Sequence, residues 1–94
     1  MAKYMCVHNV PPHAFSKDQV CGLAEALQRD PEIRGYRSFM NLSEGKILCV
    51  LEAPSSEAIA KWFGKMGIPV DSITEVEYEG DRGIVSEVAH AVAV

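Results

Sequence analysis

The stretch KILCVLEAPSSEAIAKWFGKMGIP, Lys46 to Pro69, decides the fold. Its first part is apolar at every position from Ile47 to Leu51. In an extended chain Ile47, Cys49 and Leu51 point one way and Leu48 and Val50 the other. A strand apolar on both faces belongs in the middle of a sheet with cover on both sides. Ala53-Pro54 ends the run. Ser55 then has the side chain of a helix N-cap, and Glu57 stands in the first turn, where a negative charge meets the positive end of the helix dipole. Ile59, Trp62, Phe63 and Met66 recur at helical spacing as one buried stripe, and Gly67 and Pro69 supply the stop.

Working outward, Lys3 to Val10 alternates as a strand, with Tyr4, Cys6 and His8 on one face, Met5 and Val7 on the other, and Pro11-Pro12 as its end. Ser16 and Gln19 form a capping box, flanked by Phe15 and Val20 as a hydrophobic staple. Val20, Leu23, Ala24 and Leu27 continue as the apolar stripe of a helix over Lys17–Arg29, limited by Pro31. Two strands, Arg34–Leu42 and Lys46–Glu52, are joined by Ser43-Glu44-Gly45 as a hairpin. Ser72–Glu79 alternates as a last strand, Thr74, Val76 and Tyr78 against Glu75, Glu77 and Glu79.

The resulting order, β-α-β-β-α-β, predicts an α+β fold, a ferredoxin-like sandwich with a four-stranded antiparallel sheet and two helices on one face. The domain covers residues 1–80, and residues 81–94 form a C-terminal tail. One sheet face stays uncovered while the central strand is apolar on both sides, so a second copy of the chain is expected on it, a homodimer in the manner of a dimeric α/β barrel. The tail from Ile84 to Val94 is too apolar for a solvated linker. It is expected to pack on the partner subunit or to extend a sheet edge.

The length of 94 residues fits one domain, and 48% hydrophobic with 23% charged residues is the make-up of a globular chain rather than a disordered one. A net charge of -4, with nine scattered basic residues, argues against a nucleic-acid partner, because phosphate binding needs clustered Lys and Arg. The N-terminus lacks the apolar core and cleavage site of a secretory signal, and no apolar run approaches the roughly 20 residues that span a bilayer. A cytoplasmic protein with no membrane partner is expected. Cys6, Cys21 and Cys49 are odd in number and show no C-x-x-C spacing, which disfavours a disulfide framework or a zinc ribbon. Phosphate-binding and dinucleotide-binding glycine motifs and a nucleophile elbow are absent, so hydrolase and nucleotide-dependent readings have no support.

The run ILCVLEAPSSEAIAKWFGKMGIPVDSITEVE, with GYRSFMN before it, resembles a small bacterial domain family that includes a nickel-binding protein of ferredoxin-like, dimeric fold. Ser38-Phe39, Cys49-Val50, Glu52-Ala53-Pro54, Gly67, Pro69, Ile73 and Val76 carry the resemblance in order and spacing, over roughly Gly35 to Glu77. It implies the sandwich, the dimer and, as cofactor, a divalent metal such as nickel. Two departures concern the metal. Trp62 stands where many members carry His, and Arg37 where some do, and neither side chain is a usual nickel ligand.

Within this chain the candidate metal donors are His8, Cys6 and Cys49, an imidazole and two thiols on apolar strands. Strand parity alone leaves the face of Cys49 open. The plain alternative is a buried Cys packing as a small hydrophobe beside a hydrogen-bonded His. Tyr36 and Ser38 are the candidate ligand-binding residues of the strand after the first helix, against the reading of an edge strand on which Arg37 discourages aggregation. Glu75 and Glu77 read either as a carboxylate pair or as a solvated rim, and His13 as an exposed loop residue able to project a donor.

These residues support three functions. The first is a small dimeric protein binding a divalent metal or small ligand in the sheet cleft. The second is a small-molecule enzyme with His8 as base and Ser38 or Tyr36 orienting the substrate. The third is an interaction domain with neither site.

Overall fold

Alternation along the first strand is what builds the core. In the computed structural model, which describes residues 1–89, β1 (Ala2–Asn9) buries Ala2, Tyr4, Cys6 and His8 and turns Lys3, Met5, Val7 and Asn9 the other way. β3 (Lys46–Ala53) pairs with it antiparallel, Cys6 opposite Cys49 and His8 opposite Ile47. Residues directly opposite in an antiparallel pair share a face. Cys49 therefore lies on the same side as Cys6 and His8. β2 (Arg34–Asn41) runs along the outer edge of β3, and β4 (Ser72–Glu75) along the other side of β1. The four-stranded antiparallel sheet has the order β2-β3-β1-β4.

Two helices supply the second layer of this α+β fold. α1 (Lys17–Gln28) starts at the expected capping box: the Ser16 hydroxyl accepts from the Gln19 N–H and the Gln19 side chain accepts from the Ser16 N–H. α2 (Ser56–Met66) starts at Ser55, whose hydroxyl accepts from the Ala58 N–H, and ends at Gly67 with φ of 70°. That left-handed conformation is the reason for a glycine there. Ile59, Trp62 and Phe63 of α2 and Leu27 of α1 join Tyr4, Cys6 and Leu51 of the sheet in one core. Met66, expected in the same stripe, is 36% exposed. It sits in the last turn, where the helix has already passed the edge of the core.

The connection Ser43-Glu44-Gly45 closes the β2–β3 hairpin. Gly45 has φ of 75°, and its carbonyl accepts from the Val10 N–H at 2.9 Å. A Cβ at this position would lie 1.9 Å from the Val10 carbonyl oxygen, so the hairpin tip is closed onto the end of β1 by the absence of a side chain.

The chain departs from the expected course after β4. Ser72–Glu79 is not one strand: pairing with β1 stops at Glu75, the Val76 N–H makes a last bond to the Lys3 carbonyl, and β5 (Tyr78–Asp81) starts a second, two-stranded sheet with β6 (Ile84–Glu87). The ladder ends although Lys3 and Ala2 of β1 still lie opposite Val76 and Glu77 in the register. Arg82 and Gly83, with φ of 50° and 85°, make the tight turn between β5 and β6, the backbone that two-residue hairpins prefer. Residues 84–87, within the expected tail, thus pair with their own chain, and residues 90–94 lie outside the described residues. Among the described residues no helix is long and apolar enough to cross a membrane.

Candidate functional site

The two helices do not cover the sheet evenly. α2 packs down on it through Ile59, Trp62 and Phe63, but of the α1 stripe Leu27 alone is buried, with Val20 and Leu23 half-buried and Ala24 exposed. Between α1, β2, β3 and α2 this leaves a cleft of about 290 Å³, lined by Phe15, Leu23, Leu27, Ile47, Trp62 and Phe63 among others. The stripe that sequence spacing assigns to the core is the outer wall of this cleft.

His8 is part of the lining. It is 2% exposed, and its ring stands edge-on to Phe63 with centroids 4.7 Å apart. Nδ1 lies 2.7 Å from the Pro69 carbonyl oxygen. A carbonyl can only accept, so Nδ1 carries the proton, and in the neutral ring Nε2 presents a lone pair. Among the described residues Nε2 is buried with no hydrogen-bond partner. Such an atom costs on the order of 1–3 kcal/mol while it stays unsatisfied.

The Pro69 carbonyl is held by the chain around it. The Ile68 N–H donates to the Phe63 carbonyl beyond the Gly67 cap, and the Asp71 N–H donates to the Val7 carbonyl. The Asp71 carboxylate accepts from the backbone and side chain of Asn9 at 2.7 and 2.8 Å. Those two bonds, side chain first, hold the Asp71 carboxyl below its ordinary range. The loop after α2 is thereby clasped to the end of β1, and His8 is fixed in one ring orientation.

Cys49 and Ser38 line the same cleft as His8, with Ser38 opposite Cys49 across the β2–β3 pair. Cys6 lies deeper and fully buried, its thiol 3.9 Å from the Tyr4 carbonyl oxygen. Burial first, and then the neighbouring Cys49, push the Cys6 thiol up to about 12, and burial also raises that of Cys49. Neither is set up as a thiolate.

Tyr36 has a different fate from its strand neighbour. The β2–β3 register shifts between Gly35 and Arg37, and the extra residue is Tyr36. It borders the cleft, but its ring lies under the Lys3 ammonium, 3.7 Å from the ring centroid, on the sheet face away from the helices. Lys3 also bonds Glu79 of β5 at 3.0 Å. The bulge therefore parts the Tyr36 ring from Ser38 and His8. His13 is exposed, in a loop with φ of 61°. Sequence reasoning missed the cleft-facing role of Leu23 and Leu27, because a helical stripe looks the same whether it meets a core or a cavity.

A two-layer α+β protein with a pocket between its layers is the class that fold and cleft define. The chain belongs to the family described as nickel responsive protein, SCO4226-like, whose signature matches residues 4–76. The crystal structure of SCO4226 from Streptomyces coelicolor A3(2) is similar, with a TM-score of 0.70 and 26% sequence identity over 84% of this chain and 100% of that one. No curated protein sequence matches the chain.

Nickel can be tested against the residues present. The cleft offers one free imidazole nitrogen, a thiol that burial keeps protonated at Cys49, and a second at Cys6 turned toward the Tyr4 carbonyl. Among the described residues no group of three or more His, Cys, Asp or Glu side chains comes together to hold a metal ion. A divalent cation prefers several charged or strongly polar donors. The cleft of this chain does not fit it as a closed site.

Proposed function

We propose that this chain is a small non-catalytic binding protein that works as a homodimer of ferredoxin-like subunits and holds a small ligand in the cleft at His8. One observation carries the ligand site: a buried imidazole nitrogen without a partner among the described residues, on a histidine held in a fixed orientation and lining a 290 Å³ apolar cleft. Pockets with apolar walls and a few placed polar groups are what small-molecule sites look like. The strand order β2-β3-β1-β4, with both helices contributing to one core, supports the ferredoxin-like reading.

The dimer reading draws on the other sheet face. Met5, Val7, Phe39, Leu48 and Val50 share it by register, and Phe39 is 61% exposed. A second copy of the chain covers such a face by apolar burial. The β5–β6 hairpin, with Ile84 and Val85 each 70% exposed, packs on the partner in the same proposal. Free thiols at all three cysteines suit a reducing compartment, the cytoplasm.

Nickel is the second reading, favoured by membership of a family described as nickel responsive. Under it His8 is the first donor, its Nδ1 fixed by a backbone carbonyl as in many metal-bound histidines, with Cys49 and Cys6 on the same sheet face. Native mass spectrometry of protein purified without an affinity tag, combined with nickel titration of wild type and His8→Ala, tests both readings. A dimer that retains an organic mass, lost in His8→Ala, supports the first. Stoichiometric nickel uptake lost in His8→Ala replaces it with the second. A monomer with neither overturns both.

A further inference from the structure

We infer that the cleft takes an uncharged, largely apolar molecule of about one ring, carrying a single hydroxyl or N–H group that donates to His8 Nε2. The inference rests on the cleft being the ligand site and goes further by naming what enters it.

The polarity of His8 sets the sign of the contact. With Nδ1 committed as donor to the Pro69 carbonyl, Nε2 of the neutral ring is an acceptor, so the matching group on a ligand is a donor. The walls set the charge. Among the described residues no Asp, Glu or Lys lines the cleft, and Arg37, which does, has its guanidinium carbon 5.9 Å from the Tyr36 ring centroid, the same ring that Lys3 contacts. A charged ligand would lose its hydration without compensation. Volume sets the size: an apolar cavity of about 150 Å³ admits benzene, so 290 Å³ with an open mouth admits a substituted ring. Phe63, edge-on to His8 at 4.7 Å, and Trp62, edge-on to Phe63 at 5.4 Å, give such a ring aromatic neighbours.

Nε2 is enclosed by the residues around it and has no hydrogen-bond partner among the described residues. A well-held buried water needs about two to four polar partners. A ligand whose donor reaches Nε2 as the lining side chains shift satisfies the nitrogen without displacing a well-held water.

The pair 4-methylphenol and 4-methylanisole differs by one methyl group that removes the donor. Titration of each into the full chain is followed by amide resonances of the cleft and by the His8 side-chain nitrogen resonances. The phenol is expected to bind about tenfold more tightly than the ether, the ratio one hydrogen bond to a buried acceptor brings. It alone is expected to move the Nε2 resonance, and in His8→Phe the two affinities are expected to converge. Equal affinities in wild type with an unmoved Nε2 resonance overturn the ligand class and leave the cleft as a site. Cleft amides that respond to neither compound overturn the ligand class and the cleft together. Should His8→Phe fail to fold, the wild-type comparison decides by itself.

Discussion

Three cysteines of one chain sit in three chemical settings, and thiol chemistry separates them. Cys21 is exposed on α1, Cys49 is half-buried in the cleft, and Cys6 is fully enclosed. A thiol reagent at pH 8 is expected to modify Cys21 rapidly, Cys49 slowly and Cys6 only on unfolding; rapid loss of two or more thiols from native protein would contradict this placement. The same burial makes a statement about pH. The Cys6 pKa is raised from 9.0 to about 12, so its contribution to stability is complete below pH 9 and is lost as pH rises toward 12, where the folded state resists a thiolate the unfolded chain forms freely. Trp62, 7% exposed, is expected to cost about 3–5 kcal/mol when truncated to Ala, measured by denaturant unfolding. At this scale the sequence was legible where alternation or helical spacing decides: Tyr4, Cys6 and His8 share the buried face of β1, and Trp62 lies in the core. The partner of His8 was not legible, because Pro69 is 61 residues away and a backbone carbonyl carries no sequence signature.

Elements are fixed where a local signal has one physical solution. The Ser16–Gln19 capping box, the Ser55 cap and the Gly67 stop all appear where the residues indicate them. The hairpin glycine is equally constrained. Gly45→Ala places a methyl group against the Val10 carbonyl in a left-handed backbone, and its cost is expected at or above about 1–3 kcal/mol, read from the unfolding midpoint. What local pattern does not encode is the choice of partner. Alternation runs unbroken from Ser72 to Glu79, yet pairing with β1 stops at Glu75, short of Lys3 and Ala2, and the chain pairs onward with Ile84–Glu87 instead. The bulge at Tyr36 escaped for the same reason, since it arises from the register of two strands and not from either alone. The hairpin is tied to the open face through Lys3 and Glu79. Hydrogen bonds from Tyr36 and then Lys3 hold the Glu79 carboxyl below its ordinary 4.5. The contribution of that tie is therefore present above the unfolded carboxylate range and lost as pH falls through the lowered value. Amide exchange of Tyr78–Asp81 is expected to quicken, relative to that of β3, on acidification, and Glu79→Gln is expected to quicken it at neutral pH; an unchanged ratio in both would show the tie to be idle.

For the whole molecule the decisive quantity is the apolar surface that the chain leaves uncovered. A single layer of helices covers one face of the sheet, and Met5, Val7, Leu48 and Val50 on the other are covered in part at best, beside a Phe39 that is mostly exposed. The β5–β6 hairpin adds Tyr78, Ile84 and Val85 at 60–70% exposure. A monomer rarely presents a large apolar patch, and in the proposed dimer both surfaces meet a second copy. The two contributions separate by mutation. Phe39→Asp places a charge within the proposed contact and is expected to give a monomer at micromolar concentration by light scattering, with the fold retained, because Phe39 is not part of the core. Ending the chain at Gly83 removes Ile84 and Val85 while leaving the main sheet intact, and the dissociation constant is expected to rise at least about tenfold, since each fully buried Ile or Val contributes about 1.5–3 kcal/mol. A wild-type monomer at micromolar concentration would sink the proposal outright. A wild-type dimer that Phe39→Asp leaves untouched would move the contact off the sheet face, and one unaffected by the truncation would release the hairpin from it.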